Sequence, residues 1–465
     1  MRADTIVAIA TAPGRGAIAI VRLSGAQALA IARRIATPFP DEAREATLAT
    51  IHAADDPAEV IDHGLVTRFD GPRSYTGEDV VELALHGGTV VGMLAVAACV
   101  TAGARPALAG EFTERAVLHG KLDLVQAEAV ADLIDARSRA SHRAAVHQLD
   151  GALSRRLVAM REALLQVDAL IAYDIDFPEE DDGAIPRARV IAGCDAAIAQ
   201  VDRLLATLPA AALGREGALV VLAGPPNAGK SSLLNALVGE ARVLVSEIPG
   251  TTRDAVEMLV DDSPYPLRLV DTAGLRESGD TLERLGIEVS ERYVTQAHVV
   301  LACAEDEASL SLTVAAVGAM TAGVVVPVLT KADTLPASPQ RHGEQLRATE
   351  EGLEGFLGAE LVRVSAVSGE GLDTLRAAIR EAVMSRVATP DDDTPVVTRA
   401  RHEAALRRAR EELAAFRAEW ALGHLPAPVA ATHLRGAVTA LEELIGAVDV
   451  EDVLDRVFRT FCVGK

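Results

Sequence analysis

The run Gly224-Pro225-Pro226-Asn227-Ala228-Gly229-Lys230-Ser231 places two glycines, a lysine and a hydroxyl at the GxxxxGK[ST] spacing, and the chemistry this spacing serves is the gripping of a polyphosphate. Glycines let backbone N–H groups close around the phosphates, Lys230 reaches the outer ones, and the Ser231 hydroxyl suits a magnesium ion. Asn227, Ala228, Gly229, Lys230, Ser231 and Ser232 are therefore the expected contacts of this loop. Downstream, Asp271-Thr272-Ala273-Gly274 offers a carboxylate to hold magnesium through water and a Gly274 N–H to sense the terminal phosphate. Between them, Gly250-Thr251-Thr252-Arg253-Asp254 supplies Thr252 as a further magnesium ligand.

Base selection falls to Thr330-Lys331-Ala332-Asp333, because a carboxylate such as Asp333 accepts two hydrogen bonds from the ring N–H and amine of guanine, an arrangement adenine does not offer. Ser365-Ala366 is expected to complete the base pocket. Thr330 stands where the first residue of this motif is usually Asn; Rho-type GTPases also carry Thr there, so guanine selectivity is expected to survive with altered loop packing. Ras-type enzymes place a water-orienting Gln after the phosphate-sensing glycine, whereas this chain has Leu275. An apolar side chain cannot polarise the attacking water, so another group must, and the segment 276–283 offers several carboxylates.

These residues need elements to hold them. Apolar runs at Ala218 to Ala223, Leu267 to Val270, Val299 to Ala304, Val324 to Leu329 and Leu361 to Val364 alternate with helix-length segments between about Gly217 and Ala388. Continuous apolar strands of this kind predict a mainly parallel sheet covered on both faces. From Leu122 to Phe177 the pattern changes: Leu149, Leu153, Leu157, Met160, Leu164, Val167 and Ile171 recur at spacings of three and four, which predicts one long amphipathic helix. Pro390-Asp391-Asp392-Asp393-Thr394-Pro395 reads as a surface linker, and helical composition returns at Ala404 to Trp420 and Val438 to Phe461. The simplest assembly pairs the helices on either side into one bundle with the α/β domain inserted. The first 120 or so residues read as α+β, with strands near Ala17 to Leu23 and Val80 to Leu85 and a helix near Ala26 to Ile35.

At 465 residues, two or three domains are expected. The composition is globular, with 49% hydrophobic and 24% charged residues, and an aromatic share of only 3% leaves Leu, Val, Ile and Ala to build the cores. A net charge of −22 repels a polyanion at long range, so an RNA role must rest on local basic patches or a partner. Cys99, Cys194, Cys303 and Cys462 form no CxxC pair, which fits a reducing cytosol and no zinc site. The apolar run Ile6 to Ala10 is too short for a secretory signal. Two uncharged stretches, Gly87 to Ala104 and Ala308 to Thr330, approach the roughly 20 residues of a membrane span. Their internal glycines, and Pro327 in the second, argue for soluble elements instead.

Five further stretches make the chain resemble the MnmE (TrmE) family of tRNA modification GTPases over nearly its full length: Thr11-Ala12-Pro13-Gly14-Arg15-Gly16 running on to Arg22-Leu23-Ser24-Gly25, Tyr75-Thr76-Gly77-Glu78-Asp79, Gly110-Glu111-Phe112-Thr113-Glu114-Arg115-Ala116, Gly120-Lys121-Leu122-Asp123-Leu124, and Phe461-Cys462-Val463-Gly464-Lys465. The resemblance implies a tetrahydrofolate-binding, dimerising N-terminal domain over 1–119, a helical domain split between 120–215 and 386–465, and a G domain over 216–385. It implies a cytoplasmic homodimer with no membrane attachment, a flavin- and NADH-using partner, MnmG (GidA), in a heterotetramer or larger complex, and an aminomethyl or carboxymethylaminomethyl group placed on the wobble uridine of certain tRNAs. The family's potassium site falls on Asn227, Ser246, Ile248 and Thr251, and its nucleotide contacts extend over Ser246, Glu247, Ile248, Pro249, Gly250, Thr251 and Thr252 and over Asp271, Thr272, Ala273 and Gly274, with Lys331, Asp333, Ser365 and Ala366 at the base. It raises Glu283 above its neighbours as the residue that positions water. Its folate contacts, for 5-formyl- or 5,10-methylene-tetrahydrofolate, match Arg22, Glu82, Lys121 and Lys465; without the resemblance each would read as an ordinary surface ion pair. Leu85 stands where the family commonly has Gly, so the backbone there is expected to differ. Cys462 is either an idle thiol or one that acts on the uridine, and Arg399, Arg401, Arg407, Arg408 and Arg410 are either a tRNA contact or a solvated helix face.

An Era-like ribosome-assembly switch shares the features at Gly250 to Asp254 and Asp271 to Leu275. It predicts an appended RNA module with a basic GxxG loop, whereas the tail of this sequence ends in helices and the Cys462 motif with no such loop. A folate-binding carrier with a regulatory GTPase remains a further alternative.

Overall fold

A computed structural model describes residues 4–176, 187–239, 242–243, 257–262, 264–271, 291–334, 360–387, 395–422, 426–446, 457–458, 461 and 463–464. The chain forms two compact units, one of residues 1–134, 147–198 and 404–465, the other of 135–146 and 199–403.

The first unit opens with a seven-stranded sheet: β1 (Ile6–Ile9), β2 (Ile18–Ser24), β3 (Ala36–Thr37), β4 (Ala46–His52), β5 (Val60–Phe69), β6 (Val80–His86) and β7 (Arg105–Pro106), in the order β3-β4-β5-β6-β2-β1-β7. Its pairs are antiparallel except β1 with β7. Helix α1 (Ala28–Ile35) buries Ala28, Ile31, Ala32 and Ile35, one stripe at helical spacing. With Ala95, Ala98 and Cys99 of α2 (Thr89–Thr101) it packs on Val21, Leu23, Val66, Val81 and Leu83 of the sheet. The alternation in β2 sends Val21 and Leu23 into this core and leaves Arg22 on the opposite face. The run Ile6 to Ala10 is largely strand β1, and Leu85 sits in an unbroken register from Ile18↔His86 to Ser24↔Val80. Gly64 of the neighbouring strand makes room for it: a Cβ there would meet Leu85 Cδ2 at 2.8 Å.

Helices α3 (Glu111–Leu118), α4 (Leu124–Asp135), α5 (Arg139–Leu149), α6 (Ala152–Asp176) and α7 (Arg187–Leu205) follow. The single long helix expected from Leu149 to Ile171 is broken: Gly151 takes φ +78, a conformation few side chains tolerate, so Leu149 ends α5 while Leu153, Leu157, Met160, Leu164, Val167 and Ile171 form the buried stripe of α6. After the α/β part come α12 (Ala400–Leu422) and α13 (Ala427–Ile445), the latter starting earlier than Val438. Helices from the two sides pack on one another. Arg161 Nε donates to Glu442 Oε1 at 2.7 Å, and the Cys194 thiol donates to the Leu413 carbonyl at 3.2 Å.

The second unit contains α8 (Leu208–Glu216), β8 (Ala218–Ala223), α9 (Lys230–Gly239), β9 (Arg242–Val243), β10 (Glu257–Asp261), β11 (Leu267–Asp271), β12 (Val299–Ala304), α10 (Glu307–Gly318), β13 (Val324–Leu329), β14 (Val362–Arg363) and α11 (Leu372–Met384). The sheet order is β14-β13-β12-β8-β11-β10-β9, parallel from β14 to β11 and antiparallel beyond. Val220 and Leu222 point to a core shared with α8, α9 and α11, while Leu219 and Val221 point to one shared with α10, so both faces are covered. Within this unit the segment leading into α8 and the segment leaving α11 run side by side, where the Val397 amide donates to Thr207 Oγ1 at 2.9 Å and Arg215 donates to the Thr398 carbonyl. The two uncharged stretches are α2 with its flanking turns, and α10 followed by β13. Among the described residues one run, Arg187–Glu216, is long and apolar enough to cross a membrane, and its buried residues Val190, Cys194, Ala197, Val201 and Leu204 form a core-facing stripe.

Candidate functional site

The phosphate loop joins β8 to α9, so the helix N-terminus with its unpaired N–H groups opens onto the loop. Gly224 begins the turn at φ +153, and a Cβ there would lie 2.1 Å from the Cys303 carbonyl oxygen, so only glycine lets the loop cross the end of β12. Asn227 takes φ +63, a left-handed conformation that Asn tolerates best among residues with a side chain. Lys230 is 4% exposed and donates to the carbonyls of Gly224 at 2.9 Å and Pro225 at 2.7 Å, which threads its ammonium through the loop. The Ser231 hydroxyl donates to Asp271 Oδ2 at 2.5 Å, bringing together the two side chains from β11 and α9 that the spacing assigns to magnesium. An oxygen-only pair of this kind fits that hard cation. Behind the loop, burial pushes the Cys303 thiol up to about 12, leaving it without nucleophilic character.

The base side is assembled by β13 and the loop after β14. Thr330 is 3% exposed, with its hydroxyl 2.9 Å from the Ala228 carbonyl and 3.0 Å from that of Ala304. The Thr330 hydroxyl therefore ties the base motif to the phosphate loop. Lys331 adopts φ +55 and its ammonium pairs with Glu305, a residue that sequence reasoning passed over. Asp333 Oδ1 accepts from Ser365 Oγ at 2.5 Å, and Ser365 Oγ in turn accepts from the amides of Val367 and Ser368, an arrangement that holds the carboxylate in place. Ala366 follows Ser365 in the same turn. Ser246, Glu247, Ile248, Pro249, Gly250, Thr251, Thr252, Thr272, Ala273, Gly274 and Glu283 lie outside the described residues, as do most of the expected linker and Cys462 and Lys465.

In the first unit, Arg22 and Glu82 are direct cross-strand partners, with Arg22 Nε 2.9 Å and Nη2 2.8 Å from Glu82 Oε1. The Arg22 guanidinium lies 5.4 Å from the Tyr75 ring centroid and 5.8 Å from that of Phe112. Lys121 donates to the Pro72 carbonyl at 3.0 Å, at the other end of the loop that carries Tyr75. Val463 pairs with Ala109, and Gly464 packs on Ile9 and Ala10. The sequence motifs around Glu78, Glu111 and Arg115 turn out to be a buried polar network that no local spacing announced. Arg115 donates to Glu78, Glu111 and Asp4, Arg105 pairs with Glu111 and Asp4, and Ser24 links Thr76 with Glu78. Burial raises the Glu111 carboxyl, but bonds from Arg105, the Leu108 amide and Arg115 outweigh it and hold the acid below its usual range. Of the basic run, Arg408 pairs with Glu443, and Arg399, Arg401, Arg407 and Arg410 are engaged as well.

A polyphosphate answers the loop at Lys230 and a purine carrying adjacent N–H and amine donors answers Asp333, so fold and site together define a P-loop GTPase. Comparison with known proteins narrows the class. A model described as the GTP-binding protein TrmE N-terminus matches residues 5–121, and one described as the MnmE helical domain matches residues 124–462. The tRNA modification GTPase MnmE of Azoarcus sp. (strain BH72) is 42% identical over 99% of this chain and 98% of its own. That of Aquifex aeolicus (strain VF5) is 39% identical over 99% and 100%, and that of Symbiobacterium thermophilum 42% over 100% of both. The chain belongs to the MnmE family of tRNA modification GTPases and is a GTP hydrolase. This membership sets aside the Era-like alternative.

Proposed function

We propose that the chain is a potassium-dependent GTPase that works as a cytoplasmic homodimer with MnmG to add an aminomethyl or carboxymethylaminomethyl group to the wobble uridine of certain tRNAs. The observation that carries the hydrolytic part is the Ser231–Asp271 pair at 2.5 Å beside the threaded Lys230 ammonium, with Asp333 fixed by Ser365 at the base end. Ser231 and Thr252, with Asp271 acting through water, would hold a magnesium ion, which would supply positive charge to the outer phosphates. Lys230 adds its own positive charge, and the helix N-terminus at Lys230 orients N–H groups toward the same oxygens. Glu283 positions the attacking water, which Leu275 cannot do.

The Asn227 carboxamide is an exposed oxygen donor held on a left-handed turn, suited to a monovalent cation together with Ser246, Ile248 and Thr251. Such a cation would supply the positive charge that an arginine finger provides in other GTPases. The folate is held by Arg22, Glu82, Lys121 and Lys465: the Arg22 fork suits a carboxylate, and the flanking Tyr75 and Phe112 rings suit a flat ligand. The one-carbon unit would come from 5-formyl- or 5,10-methylene-tetrahydrofolate, and Cys462 is the candidate nucleophile toward the uridine. The domains divide as 1–119, 120–215 with 386–465, and 216–385.

The deciding experiment measures GTP turnover in potassium and in sodium buffers at equal ionic strength. Potassium should accelerate hydrolysis by about 100-fold, the scale of one preorganised charge stabiliser, and equal rates would overturn the cation's role. Wobble nucleosides from cells carrying Glu283→Ala should lack the modification; normal modification with hydrolysis abolished would favour the carrier alternative.

A further inference from the structure

We propose that Glu305 is a positioning residue for nucleotide binding, which pre-orders the Lys331 side chain along the wall between the phosphate loop and Asp333; the inference rests on the GTPase reading of this site. Lys331 is held by its backbone first. The Thr330 amide donates to the Ala304 carbonyl at 2.9 Å, the Ala332 amide to the Val364 carbonyl at 3.0 Å, and the Thr334 amide to the Lys331 carbonyl at 2.9 Å. These bonds maintain the left-handed φ of +55, a conformation that a side-chain-bearing residue keeps only where its surroundings impose it. From that backbone the methylene stem runs over the phosphate loop, where Lys331 Cε would lie 3.8 Å from a Cβ on Gly229. Its ammonium then ends on the carboxylate of Glu305, the residue that follows β12.

A lysine with nothing at its tip would sweep through solvent and lose that freedom when a base is laid against its stem. The carboxylate of Glu305 removes that freedom beforehand, while Ser365 does the same for Asp333 from the other side. An exposed ion pair of this kind contributes little to folding, so its effect should show in ligand affinity.

The test compares Glu305→Gln with the unaltered full chain in titrations with fluorescent GDP and IDP. Inosine lacks the guanine amine that Asp333 reads, so the two ligands separate stem alignment from base discrimination. Glu305→Gln should raise both dissociation constants by about 3- to 10-fold, the effect of one long side chain left to be ordered on binding, with their ratio unchanged. Lys331→Met keeps the stem and removes the ammonium, and adding Glu305→Gln to it should weaken binding no further. Unaltered affinity in Glu305→Gln, a changed GDP-to-IDP ratio, or an equal further loss in the Lys331→Met background would each overturn the proposal. Failure of the unaltered chain to bind GDP would instead overturn the GTPase reading.

Discussion

In the proposed GTP complex Asp333 would select its base through hydrogen-bond direction: a carboxylate accepts from guanine's ring N–H and amine, and Ser365 Oγ donates to it at 2.5 Å. Asp333→Asn replaces one acceptor with a donor, so it should prefer xanthine, whose C2 carbonyl accepts, and GTP affinity should fall roughly 30-fold, on the scale of a mismatched hydrogen bond at a charged group. Competition titrations with GTP and XTP check this, and an unchanged preference would show that Asp333 does not read the base. His298 offers a pH-dependent contact of another kind. Its Nδ1 accepts from the Leu219 amide at 3.0 Å, and the ring must be neutral to accept; burial first, then Arg268 and Arg386, lower its pKa from 6.5, with Glu216 opposing. Because the unfolded chain takes up this proton more readily, the contribution is complete above pH 6.5 and is lost as pH falls toward the depressed folded value. His298→Asn retains an acceptor that does not titrate, so denaturant melts between pH 5 and 7 should show a flatter stability profile for the variant. The same slope in both proteins would show that this histidine is not responsible.

Strand β8, the phosphate loop and α9 form one element whose geometry depends on a single contact, the passage of Gly224 over the Cys303 carbonyl. Gly224→Ala puts a methyl group into that contact at 2.1 Å and strains a positive φ, so nucleotide binding should be lost and stability should drop by about 2–4 kcal/mol; calorimetry with and without GDP measures both. This loop was legible in the sequence because its chemistry is local: the strand before it is continuously apolar and the glycines sit at fixed spacing. The central strands of the α/β sheet were legible for the same reason, since burial on both faces leaves no alternation to decode. Strands β4 and β5 were not recognised, because Leu48, Val60 and Leu65 are exposed on them and polar residues interrupt the apolar positions. The Gly151 break in the long helix was hidden by an apolar spacing that continues across it. Glu305 and the Asp4–Arg115 network escaped notice because their partners are distant in sequence, Asp4 and Arg115 being 111 residues apart. In the helical part, Leu164→Ala removes a fully buried side chain from the α6 stripe and should cost about 2–5 kcal/mol in denaturant melts.

At the scale of the whole chain, the α/β part is an insertion whose ends meet. The core beneath its sheet draws on Ala210 and Leu213 of α8 and on Val387, all outside the 216–385 span that the family resemblance implies. A fragment of residues 206–398 should therefore melt cooperatively and bind GDP, while one of residues 216–385 should melt roughly 5–10 °C lower for want of that apolar burial; equal melting points would show that α8 belongs elsewhere. The hydrogen bond from the Val397 amide to Thr207 holds the incoming and outgoing chain side by side. To the remainder of the polypeptide the whole nucleotide-binding module then counts topologically as a tight bend, adding little ring-closure entropy despite its size. A module joined at such a gate can be exchanged or lengthened over evolutionary time without shifting the register of the helices that precede and follow it.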